Sequence, residues 1–214
     1  MPTNYLNLKQ RITDEFSSQL GNKGFRLIAP CRWIRPHNDS IKQIFVLNAI
    51  KGGQYSPAWG FSTGIAPSFK GQVFRKQSSD KNSVMELIID PIDVTGVVPE
   101  FAFSVLGDEV FDIHNRAAES VKLAASDFAR VDSLGGFCSF FLERRQLQYR
   151  RFGFDMYTMQ RLAHGFVLIL TGKQEDGIKR IQNFCEAFEA DFSNSVLQAC
   201  IQKAKSTLFR NSDR

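Results

Sequence analysis

No pair of cysteines in this chain has the C-x-x-C spacing. None of the four, Cys31, Cys138, Cys185 and Cys200, has a histidine at ligand spacing. The local signatures of zinc ribbons and dithiol redox sites are therefore missing. The histidines His37, His114 and His164 lie far apart, so H-E-x-x-H is missing too. A phosphate loop needs G-x-x-x-x-G-K-[ST], and the nearest glycine cluster, Lys51-Gly52-Gly53, lacks that spacing. These absences predict no metal and no cofactor. Long apolar runs are also lacking. The longest, Phe166 to Leu170, is five residues, against the roughly 18 that a membrane span needs. The opening MPTNYLNLKQRITDEF is polar and has no secretory h-region. The expectation is a cytoplasmic protein with reduced cysteines and no membrane partner.

Tryptophan and tyrosine are scarce, at 2 and 4, but phenylalanine is abundant, at 20 in 214 residues. A ring without a polar handle belongs in a core, and the chain is long enough to build one without staples. Net charge is +5. Up to Gly107 there are 12 basic and 8 acidic residues, giving +4; beyond it 15 and 14, giving +1. Nucleic-acid binders concentrate positive charge more strongly, so a nucleic-acid partner is a minor expectation.

The hydrophobic period divides the chain. Leu8, Ile12, Phe16 and Leu20 mark one face of a first helix, which Gly21 and Gly24 stop. Residues 24–104 read as about five short strands. These are 25–29, 32–37, 41–50, the strand carrying Trp59, Phe61, Thr63 and Ile65, and then 73–77 and 84–89 as further candidates. Short turns between them, such as Asn38-Asp39-Ser40, predict an antiparallel meander. After Gly107 the period is helical: 113–128, a helix begun near Ser133, 157–171, one carrying Ile178 to Phe188, and a last one capped by Ser193. The fold class expected is α+β, with an N-terminal helix, the meander, and a C-terminal helical region packed on the sheet. No linker separates sheet from helices, so residues 1–214 read as one domain. The fallback is a boundary near 107, dividing 1–107 from 108–214.

Leu162 to Phe188 resembles one helical hairpin of the tetratricopeptide type. Only one copy is visible, and solenoids need about three, so it reads as an ordinary αα-hairpin. Gly60-Phe61-Ser62-Thr63-Gly64 matches G-x-S-x-G in letters. The run continues to Ile65 and Pro67 with no helix behind it, whereas a nucleophile elbow is a strand–turn–helix. It reads instead as a strand with small residues on one face, allowing close approach by a helix, a strand or a ligand. A helix is the expected neighbour.

Two segments carry candidate site residues. In Cys31 to His37, Pro36 predicts an edge strand or a strand end. Arg32, Trp33, Arg35 and His37 are then candidate partner-binding residues, because Trp and Arg suit interface hot spots. The ordinary alternative is a half-buried strand whose arginine stems cover the tryptophan. In Glu143 to Arg151, Arg144, Arg145, Arg150 and Arg151 are candidate anion-binding residues. There the ordinary alternative is a solvated helix end.

The helix ending in Gly24-Phe25, the strand carrying Trp33, Ile44-Phe45-Val46-Leu47-Asn48 and Trp59-Gly60-Phe61-Ser62-Thr63-Gly64-Ile65 resemble a bacterial domain-of-unknown-function family (family 4304) over roughly residues 6–66. The resemblance implies an α+β fold and a small bacterial protein that binds another protein. It carries no catalytic residue. The functional expectation is a protein-binding module without catalytic activity, engaging another protein or its own copy as a dimer. The alternative is a weak nucleic-acid binder, or an enzyme acting on an anionic substrate through the basic helix end.

Overall fold

The computed structural model describes residues 2–37, 41–50, 54–91, 103–104, 113–147 and 153–212. The turn at Asn38–Ser40, the Gly52-Gly53 break and the boundary at Gly107 lie outside the described residues.

Helix α1 spans Pro2–Gly21 and buries Ile12, Phe16 and Leu20. Gly24 turns the chain with a φ of 81°, which only glycine adopts without strain, and the Phe25 N–H bonds the Leu20 carbonyl at 3.0 Å. Strands β1 (Arg26–Ala29), β2 (Arg32–Pro36), β3 (Lys42–Ile50) and β4 (Gln54–Ser62) follow as an antiparallel meander. The chain then leaves the sheet for a hairpin of β5 (Ser68–Lys70) and β6 (Val73–Arg75). It returns as β7 (Leu87–Ile89), antiparallel to β4. The strand order is β1-β2-β3-β4-β7, with the short β8 (Phe103–Ser104) pairing the other end of β4. The fold class is α+β, as expected. One detail differs: the candidate strand at 73–77 belongs to the separate hairpin. An outer strand, β1 leaves Leu27 48% exposed.

One face of the sheet lies under α1, α2 (Ile113–Ala129) and α3 (Leu134–Gln146). Trp33, Phe45, Phe61 and Leu87 from the sheet meet Phe16, Val121, Phe128, Phe137 and Phe141 from the helices. Each such side chain contributes about 1.5–3 kcal/mol by leaving water. Polar bonds fix the docking. Trp59 Nε1 donates to Asp127 at 2.8 Å, and Gln43 Nε2 donates to the Phe128 carbonyl at the end of α2 at 3.3 Å. On the other face Ile34, Ile44, Val46 and Ala58 form a small apolar patch. Residues 79–86 are tied to that face's basic side chains, with Asp80 pairing Arg26 and Lys42, and Ser83 accepting from Arg32 and Lys42.

Helices α4 (Thr158–Leu170), α5 (Gln174–Ala187) and α6 (Ser195–Ser212) build a second core with the β5–β6 hairpin. Here α4 and α5 touch through Gly165 and Gly177. A methyl group at Gly177 would stand 2.5 Å from the Gly165 carbonyl oxygen. Leu134 and Leu170 pack against both cores. Gln160 of α4 accepts the Ile88 N–H and donates to the Phe154 carbonyl at 3.0 Å. A helix side chain thereby satisfies the outer strand β7, one of the ways in which sheet edges are covered. Ser133 caps α3, accepting from the Gly136 N–H at 3.1 Å. The cap of α6 is Asn194 rather than Ser193. Its Oδ1 accepts from Val196 at 3.0 Å and Leu197 at 3.3 Å, while Ser193 bonds Asp191.

Candidate functional site

The segment read as an edge strand is β2, which lies between β1 and β3. Pro36 obeys its local rule all the same. Pairing with β1 stops at Ile34, opposite Arg26, so the proline lies beyond the end of that neighbour. Of the two readings of Pro36 the strand end holds and the edge strand does not, because β1 is shorter than β2. Trp33 is accordingly 1% exposed, against Phe16 and Phe45, with Nε1 donating to Ser17 Oγ at 3.0 Å. It is not presented to a partner. Arg35 lies over the Phe25 ring at 4.8 Å and donates to the Lys23 carbonyl at 2.6 Å and to Gln43 Oε1. Arg32 is half-buried and donates to the Ser83 carbonyl. Burial lowers the pKa of both arginines. His37 alone of the four is exposed, at the end of the strand.

Small residues on β4 do admit a close neighbour, and it is a strand rather than a helix. A methyl group at Gly60 would overlap the Leu87 carbonyl of β7. Ser62 of the G-x-S-x-G letters is 1% exposed and donates to Gln77 Oε1 at 3.0 Å. Beside it lies a carboxylate that pattern reading passes over, Glu86, 1% exposed. It accepts from the Thr63 N–H at 2.7 Å, the Ala66 N–H at 3.1 Å, Gln77 Nε2 at 3.2 Å and the Thr63 hydroxyl. Burial pushes its pKa up, and these donors pull it back. The carboxylate ties the turn after β4 to the segment before β7. Its only signal in the sequence is one acid inside an apolar run, Val84 to Ile89.

The basic helix end behaves differently. Arg145, in the last turn of α3, lines a cavity of about 460 Å³ together with Gly153, Phe154, Asp155, Met156 and Arg161. Arg161 lies in the first turn of α4, over the Phe188 ring at 5.4 Å. Gly153 opens the turn between the helices with a φ of 73°. Asp155 already pairs with Arg180 of α5 at 2.7 Å. Among the described residues, no carboxylate lies within ion-pair distance of Arg145 or Arg161. Arg144 is half-buried on the same turn of α3, and Arg150 and Arg151 lie outside the described residues. Arg161 was not legible as a neighbour of Arg145, because it reaches the cavity only through the packing of α4.

Behind Arg161 on α4, His164 is 4% exposed and stacks on Phe141 at 6.0 Å. Burial, then Arg180 and Arg145, push its pKa down to about 4, and Asp155 pulls the other way. Cys138 and Cys185 are unsuited to nucleophilic work. Burial, aided by Glu86, pushes Cys138 up to about 12. Burial, with Asp191 and Glu186, pushes Cys185 up to about 11. Among the described residues no three His, Cys, Asp or Glu side chains gather around one point that could hold a metal, and no helix is long and apolar enough to cross a membrane. No family model, no curated protein and no solved structure matches the chain.

Proposed function

We propose that this protein binds a small anionic molecule in the pocket between α3 and α4. The observation carrying this reading is that Arg145 and Arg161 line one cavity of about 460 Å³ whose only carboxylate among the described residues, Asp155, is already paired to Arg180. Three guanidinium groups and one carboxylate leave a surplus of two positive charges. Arginine forks suit phosphate and carboxylate oxygens, and the volume falls in the range of small-molecule sites. A single pocket with two arginines fits such a ligand better than a nucleic-acid strand, which needs an extended basic track. Titration calorimetry with sulfate and with phosphate is the test. Arg145→Ala and Arg161→Ala should each weaken binding by about tenfold or more, the loss of a charge-assisted hydrogen bond. No heat with either anion, or binding unchanged in the double variant, overturns the reading.

A second reading, association with another copy of the chain, moves from β2 to β1. The supporting observation is that β1 is the outer strand and Leu27 on it is 48% exposed. An outer strand offers backbone groups for strand addition, and a two-fold dimer can pair it with itself. Sedimentation over a range of concentrations should show a dimer that Leu27→Lys dissociates. A wild type that stays monomeric throughout removes this reading.

A further inference from the structure

The pocket that holds the two arginines is larger than an inorganic anion, and part of its wall is apolar. At about 30 Å³ for each water-sized group, the five heavy atoms of a phosphate fill about a third of its 460 Å³. Met156 lines the pocket and is 68% exposed, more than any other large apolar side chain among the described residues. Gly153 lines it too, and a methyl group added there would meet no atom within 4 Å, so the space over that residue is open.

The turn carrying Met156 is held from both sides. Phe154 anchors it in the core under the sheet, 6% exposed with its ring 5.0 Å from that of Phe141. Asp155 ties it to Arg180 of α5 at 2.7 Å. The Met156 N–H donates to the Gly153 carbonyl at 3.2 Å and closes the turn. Arg161 is braced as well, over the Phe188 ring. The backbone under Met156 and the Arg161 guanidinium are thus set before a ligand arrives, which lowers the ordering cost of binding.

We propose that the occupant is an organic phosphate monoester whose apolar body is about the size of one aromatic ring. The inference rests on the anion-binding reading above and names the ligand class of that site. Asp155 is neutralised by Arg180, so Arg145 and Arg161 bring two positive charges, which match a dianionic head. Their forks suit its oxygens. The body lies over Gly153 and covers Met156, whose flexible thioether packs on apolar and aromatic surfaces alike. Charge attracts the head. Taking the ring and the Met156 side chain out of water supplies the preference over a bare inorganic anion.

Calorimetry on the full chain compares phenyl phosphate with inorganic phosphate, at an alkaline pH where both are dianions. Wild type should bind phenyl phosphate at least about tenfold more tightly, the effect of burying part of a ring and of the thioether. Met156→Gln keeps the length of the side chain and makes it polar, so it should cut that ratio to about twofold or less, while Met156→Leu keeps most of it. Both variants should fold as wild type does, because the side chain is exposed. Benzoate, a similar ring on a monoanion, should bind at least about tenfold more weakly than phenyl phosphate. Equal affinities for the two phosphates, a preference that survives Met156→Gln, or benzoate binding as tightly as phenyl phosphate each overturns this inference and leaves the anion reading standing. Binding of neither phosphate overturns both.

Discussion

The core under the sheet fills its space with rings, whereas the core between α4, α5 and α6 closes partly by leaving side chains out. In the first, Phe61 alone meets Phe128, Phe137 and Phe140 at centroid distances of 5.5 to 6.3 Å. In the second, Gly165 and Gly177 bring two helices into backbone contact. The same physical need, dense packing without voids, is met by opposite means. A ring-packed core has volume to lose; a glycine contact has no volume to give. The difference also locates the pocket. Helix α3 belongs to the ring-packed core and α4 to both. Where they part, around Gly153 to Met156, neither core fills the space and the arginines of both line it.

The contrast can be broken from either side. Phe61→Ala should have the larger effect, a loss of about 4 kcal/mol, because truncating a buried Phe forfeits its transfer energy and leaves a cavity. Urea unfolding followed by tryptophan fluorescence measures it. A loss below about 1 kcal/mol would mean that the rings repack freely and that the core is not the interlocked body inferred here. Gly177→Ala should cost about 3 kcal/mol, since the added methyl meets the Gly165 carbonyl and Ile169. Its unfolding also sharpens the question of domains. Both tryptophans, Trp33 and Trp59, lie in the sheet, so fluorescence reports the first core alone. In one cooperative unit, fluorescence and far-ultraviolet circular dichroism should shift together in this variant. A dichroism transition that moves alone would separate the core of α4, α5, α6 and the β5–β6 hairpin from the core under the sheet.

How much of this was legible in advance differs by level. The faces of α1 and α2 were, because Ile12, Phe16, Leu20 and Ala117, Val121, Ala124, Phe128 repeat at helical spacing, and spacing along one helix needs no partner. The strands β2, β3 and β4 were legible as strands. Their meander was legible from the short turns, but the edge-strand reading of Arg32 to His37 from Pro36 did not take account of β1 on its other side. Glu86 was invisible as a brace because its donors come from Thr63, Ala66 and Gln77, gathered by the excursion through β5 and β6. Half of the candidate anion site was legible, as a run of arginines at the end of a helix. The other half, Arg161, lay inside a helix that reads as strongly apolar.

The sequence by itself determined the α+β class, the switch from strand to helical period, and the burial of the phenylalanines. These depend on periodicity and on transfer from water, which are properties of neighbouring residues. Tertiary structure alone decided that Trp33 is core, that β2 lies inside the sheet, and that Arg145 and Arg161 line one cavity. These depend on which distant segments return to meet, and a side chain's role in a site is fixed by the groups that packing brings beside it.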